Sequence, residues 1–366
     1  MKARHDVLVS GYDMGTSGTL IFNLDYSDII TAIELSFGAT NGATDNKNNP
    51  IERNITKIEI VDGSRVIYSM PGDVAYALYS QLHGSPAQEY HSGCVNDSPS
   101  VSIPILFGRK LYDVTYALNP AAFRNLQLKV TFDEATVRAA GATGFVSDSF
   151  TLSILTHLME EVSPPSAVLV SKDVYDYTSL GSGDTTVDMP TDMPYRLLMV
   201  RAYEAGTDLR GSITNLKLNC DGGRFIPFDL PTGQVIEYMT EVLPCTHKAG
   251  YETADDGDTF QTWMGFDLGQ AIHAAAAGYI VGAGGFWPGQ FSVQVTSHDG
   301  TSTNDVPVRW RVDGYAPHNL FIVPFGDLQV PEHWFDVRAY GNVKLYLTNG
   351  DADAEVNVCV QQVLTY

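Results

Sequence analysis

The chain has 366 residues, 44% hydrophobic and 18% charged, which excludes a disordered chain and gives length for more than one core. Its formal net charge of −21, with no offsetting block of Lys and Arg, argues against direct binding to nucleic acid or to an anionic membrane face. Tyrosine (19), phenylalanine (16), glycine (33) and proline (18) punctuate short apolar runs, the texture of an all-β protein.

The first ten residues carry Lys2, Arg4 and His5 but no apolar segment of the kind a signal peptide needs. Residues 1–17 are expected to be an irregular arm. The most apolar stretch, 271–286, holds four glycines and His273 and is too short to span a bilayer. The expectation is a soluble protein made in a cytoplasm. Strands are predicted over 20–24 and 29–37, and 38–50, rich in Gly, Asn, Asp and Thr, is predicted to be a loop.

Next comes Asn54-Ile-Thr-Lys-Ile-Glu-Ile-Val-Asp-Gly-Ser-Arg65, in which Ile58 and Ile60 alternate with Lys57 and Glu59 before an Asp-Gly turn. A near copy, Ser212-Ile-Thr-Asn-Leu-Lys-Leu-Asn-Cys-Asp-Gly-Gly-Arg224, follows later, with Leu216 and Leu218 in the apolar places. After the first copy, Val74, Leu78 and Leu82 predict a helix closed by Gly84. After the second, Val235, Met239 and Leu243 predict its counterpart, ended by Pro244. Phe107-Gly108 answers to Phe325-Gly326, and Asn125–Thr131 to Asn342–Thr348. Each half finishes on an alternating strand, 150–158 and 356–364. The Pro164-Pro165 pair cannot lie inside a central strand and is expected to fix the angle between the halves. The reading is a tandem duplication, with residues 1–162 as arm and first unit, 163–166 as linker and 167–366 as second unit. Forty-five residues separate Asp62 from Phe107 and 104 separate Asp221 from Phe325, so the second unit carries 59 more. Those are expected on the surface at about 245–318, steadied by Phe286, Trp287 and Trp310.

Catalytic and metal-binding patterns are missing. The nine histidines are scattered, without the His-x-His a cupin metal site needs and without His-Glu-x-x-His. There is no phosphate-loop lysine motif, and Gly15-Thr-Ser-Gly18 lacks the spacing of a nucleophile elbow. The four cysteines, Cys94, Cys220, Cys245 and Cys359, stand apart and are expected to be reduced and structural. Weak calcium candidates are Asp255, Asp256 and Asp258, and Asp351, Asp353 and Glu355. No twelve-residue calcium loop surrounds either group, so solvated acidic loops are the plainer reading. Trp287 and Trp310 are of a type that stacks on sugars, although packing is the commoner role. No cofactor is expected.

Two eight-stranded units, each with one helix after the fourth or fifth strand, resemble the double jelly-roll major capsid proteins of the tectivirus and adenovirus lineage, including lipid-containing icosahedral phages. The resemblance is carried by the hairpins at 54–70 and 212–230, by Ile105-Leu-Phe-Gly-Arg-Lys-Leu-Tyr-Asp113, and by Tyr116-Ala-Leu-Asn-Pro120 before Asn125-Leu-Gln-Leu128. It implies an all-β double jelly roll with a structural, non-enzymatic role in a virion capsid. It implies a homotrimer that forms a pseudo-hexagonal capsomer among neighbouring capsomers, assembled in the host cytoplasm. An internal membrane or minor capsid proteins are the further partners it suggests for the 1–17 arm. The alternatives are a tandem jelly-roll carbohydrate-active enzyme or lectin, of the glycan-amidase kind, and a minor spike or vertex protein.

Overall fold

The computed structural model describes residues 1–43, 46, 49–134, 144–204, 209–254, 259–261, 263–274, 279–284, 292–297 and 306–366. In the first half the strands are β1 (Lys2–Asp13), β2 (Ser17–Asn23), β3 (Ile29–Gly38), β4 (Lys57–Asp62) and β5 (Arg65–Met70). Helix α1 (Gly72–His83) follows, then β6 (Glu89–Tyr90), β7 (Ser100–Leu106), β8 (Leu126–Asp133) and β9 (Thr151–Glu160). The second half has β10 (Ala167–Leu180), β11 (Gly183–Asp188), β12 (Tyr195–Tyr203), the short helix α2 (Leu209–Ser212), β13 (Ile213–Cys220), β14 (Phe225–Pro231) and α3 (Thr232–Val242). An inserted group comes next: β15 (Thr246–Ala254), β16 (Thr259–Gln261), β17 (Met264–Ala274), β18 (Tyr279–Gly284), β19 (Ser292–Ser297) and β20 (Val306–Pro317). The second half then closes with β21 (Leu320–Pro324), β22 (Val343–Asn349) and β23 (Ala352–Thr365).

The pairing orders of the halves are the same. In the first, β1-β9-β3-β7 faces β2-β8-β4-β5; in the second, β10-β23-β12-β21 faces β11-β22-β13-β14. Each is an eight-stranded jelly roll, with its long helix between the fifth and sixth of these strands. Alternation drives it: Leu126, Leu128, Val130 and Phe132 of β8 point inward, as do Val343, Leu345 and Leu347 of β22. The repeat extends to single hydrogen bonds. Asp62 Oδ1 accepts from the backbone N–H of Arg124 and Asn125 at 3.2 and 2.8 Å, and Asp221 Oδ1 accepts from Gly341 and Asn342 at 2.9 and 3.0 Å. The Thr56 and Thr214 hydroxyls donate to the carbonyls of Thr131 and Thr348, both at 3.1 Å. Each of these aspartates therefore ties the turn of its hairpin to the start of a neighbouring strand. Asp62→Ala and Asp221→Ala are each expected to cost roughly 1–3 kcal/mol, measured as a loss in denaturant unfolding. A loss confined to one of the two would break the equivalence.

Two expectations are corrected. Lys2–Asp13 is not an irregular arm but a strand, paired along its length with β9 from Lys2↔Glu160 to Asp13↔Thr151. Its sequence hides this because it is an edge strand with little apolar periodicity. Nor is the angle between the halves left to Pro164 and Pro165. Strand β5 pairs in parallel with β10 (Ser171↔Tyr68, Lys172↔Ser69), which fuses one sheet of each roll into the eight-stranded sheet β2-β8-β4-β5-β10-β23-β12-β21. The buried side chains of both rolls form one continuous apolar cluster, from Leu35 and Ile58 to Leu198 and Val358.

The inserted strands form sheets of their own, β15-β20-β17 and β16-β19-β18. The first of these packs on α1 of the other half. Tyr251 N–H donates to His91 O and Gly93 N–H to Tyr251 O, both at 3.0 Å, and His247 N–H donates to Gly84 O at 3.0 Å. Helix α1, with nine of its residues buried, is thus enclosed between rolls and insertion. Gly84 at φ +76° ends it, as the sequence predicts. Two glycines permit the close fit. A Cβ on Gly72 would lie 2.6 Å from Glu52 O, and one on Gly250 would lie 2.3 Å from the Trp310 ring.

Candidate functional site: the joint between the halves

Of the predicted site residues, Asp255, Asp256 and Asp258 lie outside the described residues, as do Phe286 and Trp287. Glu355 is turned to another use: its Oε2 sits 3.5 Å from Arg53 and 3.4 Å from Arg201. Among the described residues no group of three His, Cys, Asp or Glu side chains is placed to hold a metal ion. Trp310 is 2% exposed and packs against His91, so it offers no face to a sugar. The four cysteines are unpaired with one another.

Sequence reading missed a buried charged cluster where the insertion meets the first roll. Glu52 lies in a 3-10 turn (Ile51–Asn54) ahead of β4, Glu89 on β6, Lys248 on β15, and His318 between β20 and β21. Lys248 Nζ is 3.0 Å from Glu89 and 3.6 Å from Glu52, with both partners' side chains almost wholly buried. His318 Nε2 is 2.8 Å from Glu52 Oε1, the Tyr76 hydroxyl donates to Glu89 Oε2 at 2.7 Å, and His91 Nε2 is 3.1 Å from Glu252 Oε1. The Trp263 ring stacks on His318 at 5.6 Å. Burial alone would raise the Glu52 carboxyl, but Lys248 and His318 outweigh it and hold the group below its usual range. For Lys248, burial pulls down and Glu89 and Glu52 more than offset it, so the ammonium stays charged. Burial pushes the His318 imidazole below its usual value, against the pull of Glu52.

A second cluster crosses directly from one roll to the other. Arg201 on β12, 3% exposed, meets Asp73 in the first turn of α1 at 2.7 Å. Arg201 also donates to Asn357 Oδ1 at 3.2 Å. Beside it, the Arg53 guanidinium sits 4.1 Å from the Tyr203 ring centroid. One signal for the first cluster was present in the sequence. Thr246, Lys248 and Glu252 alternate inward while His247 and Ala249 stay exposed. With polar residues on the buried face, a search keyed to apolar alternation passes over it.

These clusters are fastenings. They join β-rolls and an insertion into one body. The sequence matches no family model, and no curated protein matches it. Solved structures do. The major capsid protein P2 from bacteriophage PM2 aligns at a TM-score of 0.54 and 10% identity, covering 100% of this chain and 98% of that one. The STIV major capsid protein aligns at 0.57 and 10%, covering 100% and 97%. PBCV-1 VP54, fitted into a reconstruction of the virophage Sputnik, aligns at 0.58 and 9%, covering 99% and 93%. With matched strand order in both halves and alignment over nearly the whole of each chain, this protein has the double jelly-roll fold of these capsid proteins.

Proposed function

We propose that the chain is a viral major capsid protein with a structural rather than catalytic role, and that three copies form a pseudo-hexagonal capsomer of an icosahedral shell. The observation that carries this is the fused sheet: two rolls of the same topology stand side by side in one chain. Three such chains present six comparable rolls, which lets a threefold ring fill a sixfold lattice position. The ring repeats one heterologous contact, first roll against the next chain's second roll. Full-length alignment with capsid proteins supports the reading.

The edges of the rolls suit such a contact. β1 and β2 each end a sheet in the first roll and expose Val7, Tyr12 and Ile21; β14 ends a sheet in the second and exposes Phe225 and Ile226. Apolar edge strands left uncovered are prone to unwanted pairing, and burial against a neighbour removes that hazard. In this reading residues 1–162 and 167–366 are the two rolls, joined by 163–166, and 245–318 carries an outward-facing tower. Lys2 pairs with Glu161, and Arg4 with Asp28 and Glu160, so the first strand keeps little free positive charge for a membrane or minor capsid protein. The charge of −21 likewise argues for no direct contact with packaged nucleic acid.

Light scattering on the purified protein is expected to give about three times the 39.9 kDa chain mass. The contact should bury roughly 2,000–5,000 Å², as permanent interfaces do. A stable monomer under every salt condition would remove the capsid reading.

A further inference from the structure

Where α1 and β7 of the first roll meet β10 and β12 of the second lies a cavity of about 80 Å³. Tyr68, Ser171, Arg196 and Gln361 line it, all at most 5% exposed. Leu78, Leu82 and Ile105 supply an apolar wall, and the exposed His83 and Gln329 stand at its mouth. The site exists only because the two halves are joined there.

Its polar groups are almost all donors. Arg196 Nε donates to Leu328 O at 3.2 Å and Nη1 donates to Gln361 Oε1, which leaves Nη2 without an acceptor among the described residues. Among the described residues no carboxylate pairs with Arg196; the nearby Arg109 is engaged with Asp113 at 2.7 Å. Burial, together with Arg109, pulls the Arg196 guanidinium down to about 10. Gln361 Nε2 donates to Ser171 Oγ at 3.0 Å, so the Ser171 proton remains to be given. The Tyr68 hydroxyl has no hydrogen-bond partner among the described residues. A buried guanidinium without an anion is expensive, and one arriving anion would satisfy all three donors. At the roughly 30 Å³ that each water takes in the liquid, the volume is that of about two to three waters, room for an organic acid of two or three carbons.

We propose that this cavity binds a small aliphatic monocarboxylate, its carboxylate held by Arg196, Ser171 and Tyr68 and its tail laid against Leu78, Leu82 and Ile105. Such a ligand touches both rolls and binds only the joined native state, so it fastens the joint and raises stability by mass action.

The test is calorimetric titration and thermal unfolding of the full-length protein with propionate, alongside propanol, propylammonium and inorganic phosphate. Propionate is expected to bind saturably and raise Tm, and the other three are not. Tyr68→Phe, which removes only an unpartnered hydroxyl, should leave the ligand-free Tm unchanged and weaken binding about two- to tenfold. Arg196→Gln should weaken it about ten- to a hundredfold; should that variant fail to fold, Tyr68→Phe carries the test. Absence of saturable propionate binding, equal binding of propanol or phosphate, or undiminished binding by Tyr68→Phe would each overturn the proposal. These readouts do not depend on trimer or shell formation.

Discussion

Lys248→Met should destabilise the protein by about 3–5 kcal/mol, because it leaves Glu52 and Glu89 buried beside each other without their shared cation. Methionine keeps the volume and removes the charge, so the loss reports electrostatics rather than a cavity. The pH dependence separates this from a packing defect. In the parent protein the Glu52 carboxyl is depressed from its usual 4.5, so its stabilisation is present above that value and is lost as pH falls through the depressed folded value. His318, depressed from 6.5, acts in the same direction: the unfolded chain takes up its proton first, and acidification weakens the native state. In Lys248→Met the sign should reverse. The bare Glu52 carboxylate, or His318 beside it, gains a reason to bind a proton in the folded state, so part of the lost stability returns as pH is lowered from 7 towards 5. Denaturant melts of both proteins across that range measure it. A variant that loses further stability on acidification, in parallel with the parent, would show that the cluster is not held by the Lys248 charge.

Arg201→Leu is expected to cost a similar amount, about 3–5 kcal/mol, for it strands Asp73 in the seam between the rolls. The companion change Asp73→Asn removes the orphaned charge, and the double variant should recover much of the loss. The two sites are in contact, so the double-mutant cycle should show a coupling of about 1–3 kcal/mol. Additive losses would assign the effect to local packing on β12 instead. Another fastening of the seam, the parallel pairing of β5 with β10, involves backbone alone and is untouched by these changes. The rolls should therefore stay joined while the helix end at Asp73 loosens, which amide exchange of α1 would report.

What the sequence determined by itself was whatever local rules write twice. Alternation around Ile58 and Ile60, and around Leu216 and Leu218, set the faces of β4 and β13, because a slip of one residue would put each apolar set in water. Asp62-Gly63 and Asp221-Gly222 marked the turns, and Gly84 the end of α1, because these conformations suit few other residues. Duplication, the all-β class and the extra length of the second half followed from spacing alone. What only the tertiary structure decided was whatever depends on which surfaces meet. β1 reads as an irregular arm because an edge strand needs only one neighbour, β9, and no apolar face of its own. The fused sheet comes from β5 pairing with β10 across just over a hundred residues of chain, and backbone pairing of that kind leaves no signature in side chains. The charged clusters are invisible for a related reason. Lys248, Glu52, Arg201 and Asp73 look like surface residues in sequence, and become interior only when the insertion closes on α1 and the second roll closes on the first. Hydrophobic periodicity reports the layers of one unit, whereas the joint between units is written in charges whose partners lie far away along the chain.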